Sequence, residues 1–87
     1  MIVQVFSVFD SKAGSFAQPF FSHTLVTGKR AFADACADPS TMLSRHPSDF
    51  ALFHLGSFDD QSGFFDALVA PDNLGLAAAY RSSDNAA

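Results

Sequence analysis

Apolar positions along this chain follow two different periods, and the periods mark its elements. Residues 1–9 are almost entirely apolar and rich in Val, Ile and Phe, which predicts a strand. Val3, Val5 and Phe9 lie on one face of it and Ile2, Phe6 and Val8 on the other. Both faces being apolar, the strand is expected to be central and covered on both sides. Turn residues at 10–14 end it. Residues 15–24 read as a loop, with Gln18-Pro19 holding the chain extended or turned. A loop carrying Phe16, Phe20 and Phe21 is expected to lay at least two of these rings on the sheet or on a partner chain. The spacing then becomes helical. Ala31, Phe32, Ala35 and Cys36 make one apolar face over residues 27–37, with Thr27 as the expected N-cap and Asp38-Pro39 as the stop. Gly28 weakens the start of that helix.

Residues 40–45 predict a single helical turn capped by Ser40 and ended by His46-Pro47. A second strand is expected over residues 50–58, with Phe50, Leu52, His54 and Phe58 on one face and Ala51, Phe53, Leu55 and Ser57 on the other. Gly56 there marks a bulge or a close backbone approach. Asp59 to Gly63 form a hairpin loop, and residues 64–70 return as an antiparallel strand that Pro71 ends. Residues 74–80 predict a short C-terminal helix. The resulting expectation is an α+β fold: a small three-stranded mixed sheet with one main helix packed on it, in the order β-α-β-β plus the short helix. The first two strands are expected to run parallel across the helical crossover. Residues 1–80 form the single domain, and 81–87 are a polar, flexible tail.

Composition changes this picture mainly through phenylalanine. Eleven Phe in 87 residues, with no Trp and one Tyr, is more apolar material than one small core hides. Surplus apolar surface marks an interface, and a short sheet has edges prone to pairing, so a homo-oligomer is expected. Net charge is −4, and all nine acidic residues are Asp. The basic residues are scattered, with Lys29-Arg30 the only adjacent pair, so a single copy lacks the clustered cations that phosphate binding requires. The single cysteine, Cys36, forms no disulfide within the chain and reads as a small buried hydrophobe. The apolar start lacks a basic n-region and a cleavage site, and no apolar run reaches the length of a membrane span.

Candidate chemistry is sparse. His23, His46 and His54 could serve as bases, but no nucleophile elbow or Cys–His pairing accompanies them, so no catalytic site and no enzyme is expected. His46 and His54 with Asp59 and Asp60 match no common metal-ligand spacing, and no phosphate-cradling glycine loop is present, so no metal and no cofactor is expected. Single-stranded DNA binding has more substance, because bases stack on exposed rings flanked by cations. Phe20, Phe21, Phe53 and Phe58 could be such platforms, with Lys12, Lys29 and Arg30 on the backbone. The candidate DNA or partner contacts are therefore Lys12, Phe20, Phe21, Lys29 and Arg30.

One further signal lies in the order of short motifs. Asp10-Ser-Lys-Ala13, Gln18-Pro-Phe-Phe-Ser22, Arg30-Ala-Phe-Ala-Asp-Ala35, Asp38-Pro-Ser40, His46-Pro-Ser-Asp-Phe50, Leu52-Phe53 and Leu55-Gly-Ser-Phe-Asp-Asp-Gln-Ser-Gly63 occur in sequence. In this order and spacing the chain resembles the small nonstructural protein of gokushoviruses, single-stranded DNA phages of the microvirus group. The resemblance runs from the first strand to Gly63 and fades after Pro71. It implies a non-enzymatic accessory made in the host cytoplasm and absent from the finished particle. Such a protein would act in genome replication or packaging through oligomerisation and contacts with phage replication or procapsid proteins. The alternative is a direct single-stranded DNA binder that uses the exposed Phe and the Lys and Arg of an oligomer. Most of the matching residues are turn Asp, Pro and Gly that set the fold; Lys12 and Arg30 are the exceptions.

Overall fold

A computed structural model describes residues 1–80, so the expected 81–87 tail lies outside the described residues. The chain folds as β1 (Ile2–Asp10), β2 (Ser15–Phe16), β3 (Phe20–Ser22), α1 (Leu25–Ala37), α2 (Met42–Arg45), β4 (Phe50–Asp59) and β5 (Phe65–Leu76), with residues 77–80 helical after β5. The strands form one five-stranded, wholly antiparallel sheet in the order β2–β1–β4–β5, with β3 beside β2 along the same edge of β1. This overturns the expected three-stranded mixed sheet. The reason lies in residues 15–24. They are not a loop but fold back on β1 as an edge strand in two pieces, so the chain reverses direction before it enters α1. The helical crossover therefore joins β3 to β4, which run the same way with β1 between them. A crossover still links parallel strands, but β1 is not one of them.

Both ends of α1 are set by short side chains. Thr24, not Thr27, is the N-cap. The Thr27 N–H donates to Thr24 Oγ1 at 3.1 Å and the Thr24 N–H donates to Thr27 Oγ1 at 3.1 Å, a reciprocal box that starts the helix earlier than expected. Asp38 ends it, accepting from the Ser40 N–H at 3.0 Å and the Ser40 hydroxyl at 2.8 Å. These two bonds hold the Asp38 carboxyl below the usual range. Thr41, not Ser40, caps α2 through the Ser44 N–H at 3.2 Å.

α1 lies on the sheet face that carries Phe6, Val8 and Leu52. The core is Phe6, Phe32, Cys36, Leu52 and Ala77, with Val8, Phe20, Leu43, Phe50, Leu74 and Tyr80 around it. Gly28 faces Phe6 so closely that a methyl group there would overlap the ring. The residue that weakens the helix in sequence is thus what lets it sit on the sheet. Phe20 stacks on Phe6 at 5.4 Å between centroids, and Phe32 meets Tyr80 edge-on at 5.0 Å. Cys36 is fully buried, as expected, and burial pushes its thiol up to about 11. The Tyr80 hydroxyl donates to the Leu74 carbonyl at 2.8 Å.

The expected C-terminal helix over 74–80 is replaced by strand as far as Leu76, because residues 72–76 pair with Ala51 to His54. Pro71 does not end the strand. It lies in a bulge where residues 68–71 stand opposite Leu55 alone, so its missing N–H is not needed for pairing. The 59–63 hairpin forms as read, closed by the Gly63 N–H on the Asp59 carbonyl at 2.8 Å.

Candidate functional site

The helices, Phe20 and the turn at 77–80 all belong to the Phe6 side of the sheet, which leaves the other side open. β1 is central, as expected, and Val5, Phe6 and Ser7 in its middle are buried on both sides, but helices cover only the Phe6 side. Its open side carries Val3, Val5, Ser7 and Phe9. By strand register these are joined by Phe16, Phe21, Ala51, Phe53, Gly56, Phe58, Phe65, Ala67, Asn73 and Leu76. No charged residue occupies a strand position on that side.

Two one-residue shifts build this surface. Phe16 and Phe21 are five apart, so an uninterrupted strand would send them to opposite faces. The pairing moves from Phe6↔Phe20 to Phe9↔Phe16, one extra residue in the 16–20 stretch, and both rings come to the open side. Phe53 and Phe58 are also five apart. The β1–β4 pairing shifts between Val5↔Gly56 and Phe6↔His54, leaving Leu55 as the extra residue, and again both rings reach the open side. The expected grouping of Phe58 with Leu52 and His54 is therefore corrected: Phe58 shares its face with Phe53. Gly56 at this shift lies against β5, where a Cβ would overlap the Asp66 carbonyl oxygen and approach Ala67 Cα to 2.9 Å.

The rings gather into two groups. Phe9, Phe16 and Phe53 meet with centroids 5.0, 5.3 and 6.2 Å apart. Phe21, Phe58 and Phe65 meet at 4.7, 5.8 and 6.3 Å. Beside the Phe65 ring runs a mainly apolar groove of about 240 Å³ lined by Val5, Pro19, Leu55, Gly56 and Ala67, with Ser57 and Asp66 also at its wall. Ser7 is fully buried here and donates to the Ala17 carbonyl at 2.6 Å, so its hydroxyl is satisfied. The rings themselves are not buried: Phe16, Phe21 and Phe65 are 43, 49 and 65 % exposed.

A family model described as Phage ORF5 protein matches residues 3–80. The chain belongs to that family. No curated protein and no solved structure matches it. The family match covers every strand of the open face except the first residue of β1, so the face belongs to the matched region.

The five candidate contacts do not converge. Phe21 is on the open face, whereas Phe20 is half-buried against Phe6 on the other side. Lys29 and Arg30 are exposed on α1, the helix that covers the Phe6 side, and Lys12 is in the exposed turn after β1, where its N–H donates to Asp10 Oδ1 at 3.0 Å. Among the described residues none of these three cations forms a salt bridge. Sequence reasoning places Phe9 on the face of Val3 and Val5 but does not count it as a contact, and it misses Phe65, whose face depends on its pairing with Phe58. The signal that could have found the arrangement is the repeated Phe spacing of five beside Gly56 and Pro19.

His54 Nε2 lies 2.8 Å from Gln4 Oε1. Asp59 accepts from the Gln61 N–H at 2.9 Å; that bond, ahead of a contact from Ser62, holds its carboxyl low. Among the described residues no three His, Cys or Asp side chains gather at one point, and no helix is long and apolar enough to cross a membrane.

Proposed function

We propose that this chain is a non-enzymatic accessory protein of a gokushovirus-type phage, acting in the host cytoplasm during genome replication or packaging by binding protein through its open aromatic face. The observation that carries the reading is six Phe rings on an uncharged sheet face, three of them 43–65 % exposed. A surface of this kind loses apolar exposure when it meets another protein and incurs no charge-desolvation cost. The family match supports the phage setting; the order of motifs supports the gokushovirus assignment and the step in the life cycle.

The same geometry gives less support to direct single-stranded DNA binding. Stacking platforms act with cations beside them, and Lys29 and Arg30 are on the helix covering the opposite side of the sheet.

The test is genetic. A phage carrying Phe21→Asp with Phe65→Asp is expected to produce far fewer DNA-filled particles, with the protein present at its normal level. Normal particle yield would remove the reading. Lys29→Ala with Arg30→Ala is expected to leave yield near wild type; a loss there, together with loss of oligonucleotide retention by the purified protein, would establish DNA binding instead.

A further inference from the structure

We infer that the partner covering the open face is a second copy of this chain, packed sheet against sheet about a two-fold axis; the inference rests on the contact-face reading above and names its occupant.

Three observations select this arrangement. The first is the state of the sheet edges. Edge strands are the usual route to association, but both edges here are broken. On one, β2 and β3 are separated by residues 17–19, including Pro19. On the other, residues 68–71 bulge away opposite Leu55, with Val69 fully exposed and Pro71 lacking a donor. Neither edge offers an unbroken strand along which a second sheet could add in register over its full length.

The second is charge. Each copy carries a net charge of −4, so two copies repel wherever their Asp-bearing surfaces meet. The open face has no charged strand position, and two such faces meet without that cost. A nucleic acid or a basic partner would find no complementary charge on it.

The third is shape and extent. Each face carries ridges, the two Phe groups, and a groove of about 240 Å³ flanked by the Phe65 ring. A two-fold axis lets a ridge of each copy enter the groove of the other, a closed isologous contact. Phe16, Phe21, Phe65 and Leu76 are 43, 49, 65 and 46 % exposed, which at about 200 Å² per such side chain amounts to roughly 400 Å² of apolar surface. That is about half of the roughly 800 Å² each partner gives to a stable interface. The remaining rings, with Val3, Ala67 and Asn73, surround these four. Sheets packed this way lie about 10 Å apart. The dimer is then helix, sheet, sheet, helix, with Lys29 and Arg30 of each copy on its outer sides.

Sedimentation equilibrium of the whole chain over a micromolar concentration range tests this. The expected result is a species of about twice the 9.3 kDa chain mass. Phe21→Asp with Phe65→Asp should give a monomer with an unchanged far-ultraviolet spectrum. Phe65→Ala, a gentler change, should weaken association at least tenfold. Val69→Lys, on the broken edge, should leave the dimer intact. A monomeric wild type, a dimer that survives the double Asp variant, or a dimer lost through Val69→Lys alone would overturn the assignment. Should the double variant fail to fold, mixed isotope-labelled and unlabelled wild-type protein decides by nuclear magnetic resonance. Contacts between copies at the Phe21 and Phe65 rings are expected, and contacts confined to Val69 would overturn it. The two proposals also fail separately. A monomeric wild type, with phage yield still lost in the double Asp variant, ends the second-copy assignment and leaves the contact face standing. A dimer whose disruption leaves phage yield normal ends the accessory reading and leaves the dimer.

Discussion

The two sides of the sheet use the same residue type for opposite ends. On the helix side, Phe6 and Phe32 are buried in a core with Cys36, Leu52 and Ala77, with Gly28 against Phe6 and the rings of Phe20 and Tyr80 beside them. On the open side, six Phe pack on one another, and Phe16, Phe21 and Phe65 among them stay exposed. The difference comes from what faces them. A helix brings small side chains that close over a ring, whereas an open sheet can only lean its rings together. Phenylalanine content alone therefore says nothing about where stability resides in this molecule. The comparison predicts that substitutions on the helix side change folding, and that those on the open side change association.

The largest effect is expected from Phe6→Ala. Removing a fully buried ring that touches Phe20 and Gly28 leaves a cavity and should cost about 3–5 kcal/mol, read by urea denaturation. For a chain of this size that approaches total stability. Phe65→Ala should change the stability of the isolated chain by less than about 1 kcal/mol, measured at concentrations below dimer formation. Equal losses in the two variants would erase the distinction between the faces.

Alkaline pH probes the helix side without substitution. The Cys36 thiol is raised from 9.0 to about 11 by burial, so the folded state holds that proton more tightly than the unfolded chain. The stability this provides is complete below pH 9 and is lost as pH rises through 11. Tyr80, raised by burial and secondarily by Cys36, adds loss in the same direction. Cys36→Ala should flatten this alkaline slope, and an unchanged slope would show that the thiol is not its source.

Gly28→Ala sharpens the comparison further. On an isolated helix Ala is favoured over Gly by about 1 kcal/mol. Here the added methyl overlaps Phe6, so a net loss of about 1–3 kcal/mol is expected by thermal unfolding. Stabilisation instead would mean that the ring moves aside freely. A smaller loss than at Gly28 is expected at the helix start, where Thr24→Ala should cost about 1 kcal/mol and Thr27→Ala somewhat less, by the same measurement.

Much of the local structure was legible in the sequence, because local structure depends on neighbours in sequence. β1 as a central strand, the helix ending at Asp38, the turn before His46, the hairpin at Asp59 to Gly63 and a buried Cys36 all follow from nearby propensities and turn chemistry. The errors share one cause. Residues 15–24 look like a loop because a Pro and a register shift interrupt their alternation, and Pro71 looks like a strand end because a bulge absorbs it. A shifted strand loses the period of two on which strand recognition depends. Taking 15–24 as a loop also makes β4 run parallel to β1, whereas the folded-back edge strand makes it antiparallel.

The candidate face shows the same division. Surplus Phe pointed to an interface, and the scattering of Lys and Arg pointed away from a cationic surface within one copy. Which rings share a face was not readable, since Phe16 with Phe21 and Phe53 with Phe58 reach one side only through single-residue shifts against β1. Composition and short-range pattern by themselves determined that this chain is a Phe-rich, acidic domain of strands around one main helix. Tertiary pairing alone decided that the sheet is antiparallel, that its edges are broken and that one side is open. Register is a relation between strands distant in sequence, and one inserted residue reverses the face of every side chain beyond it.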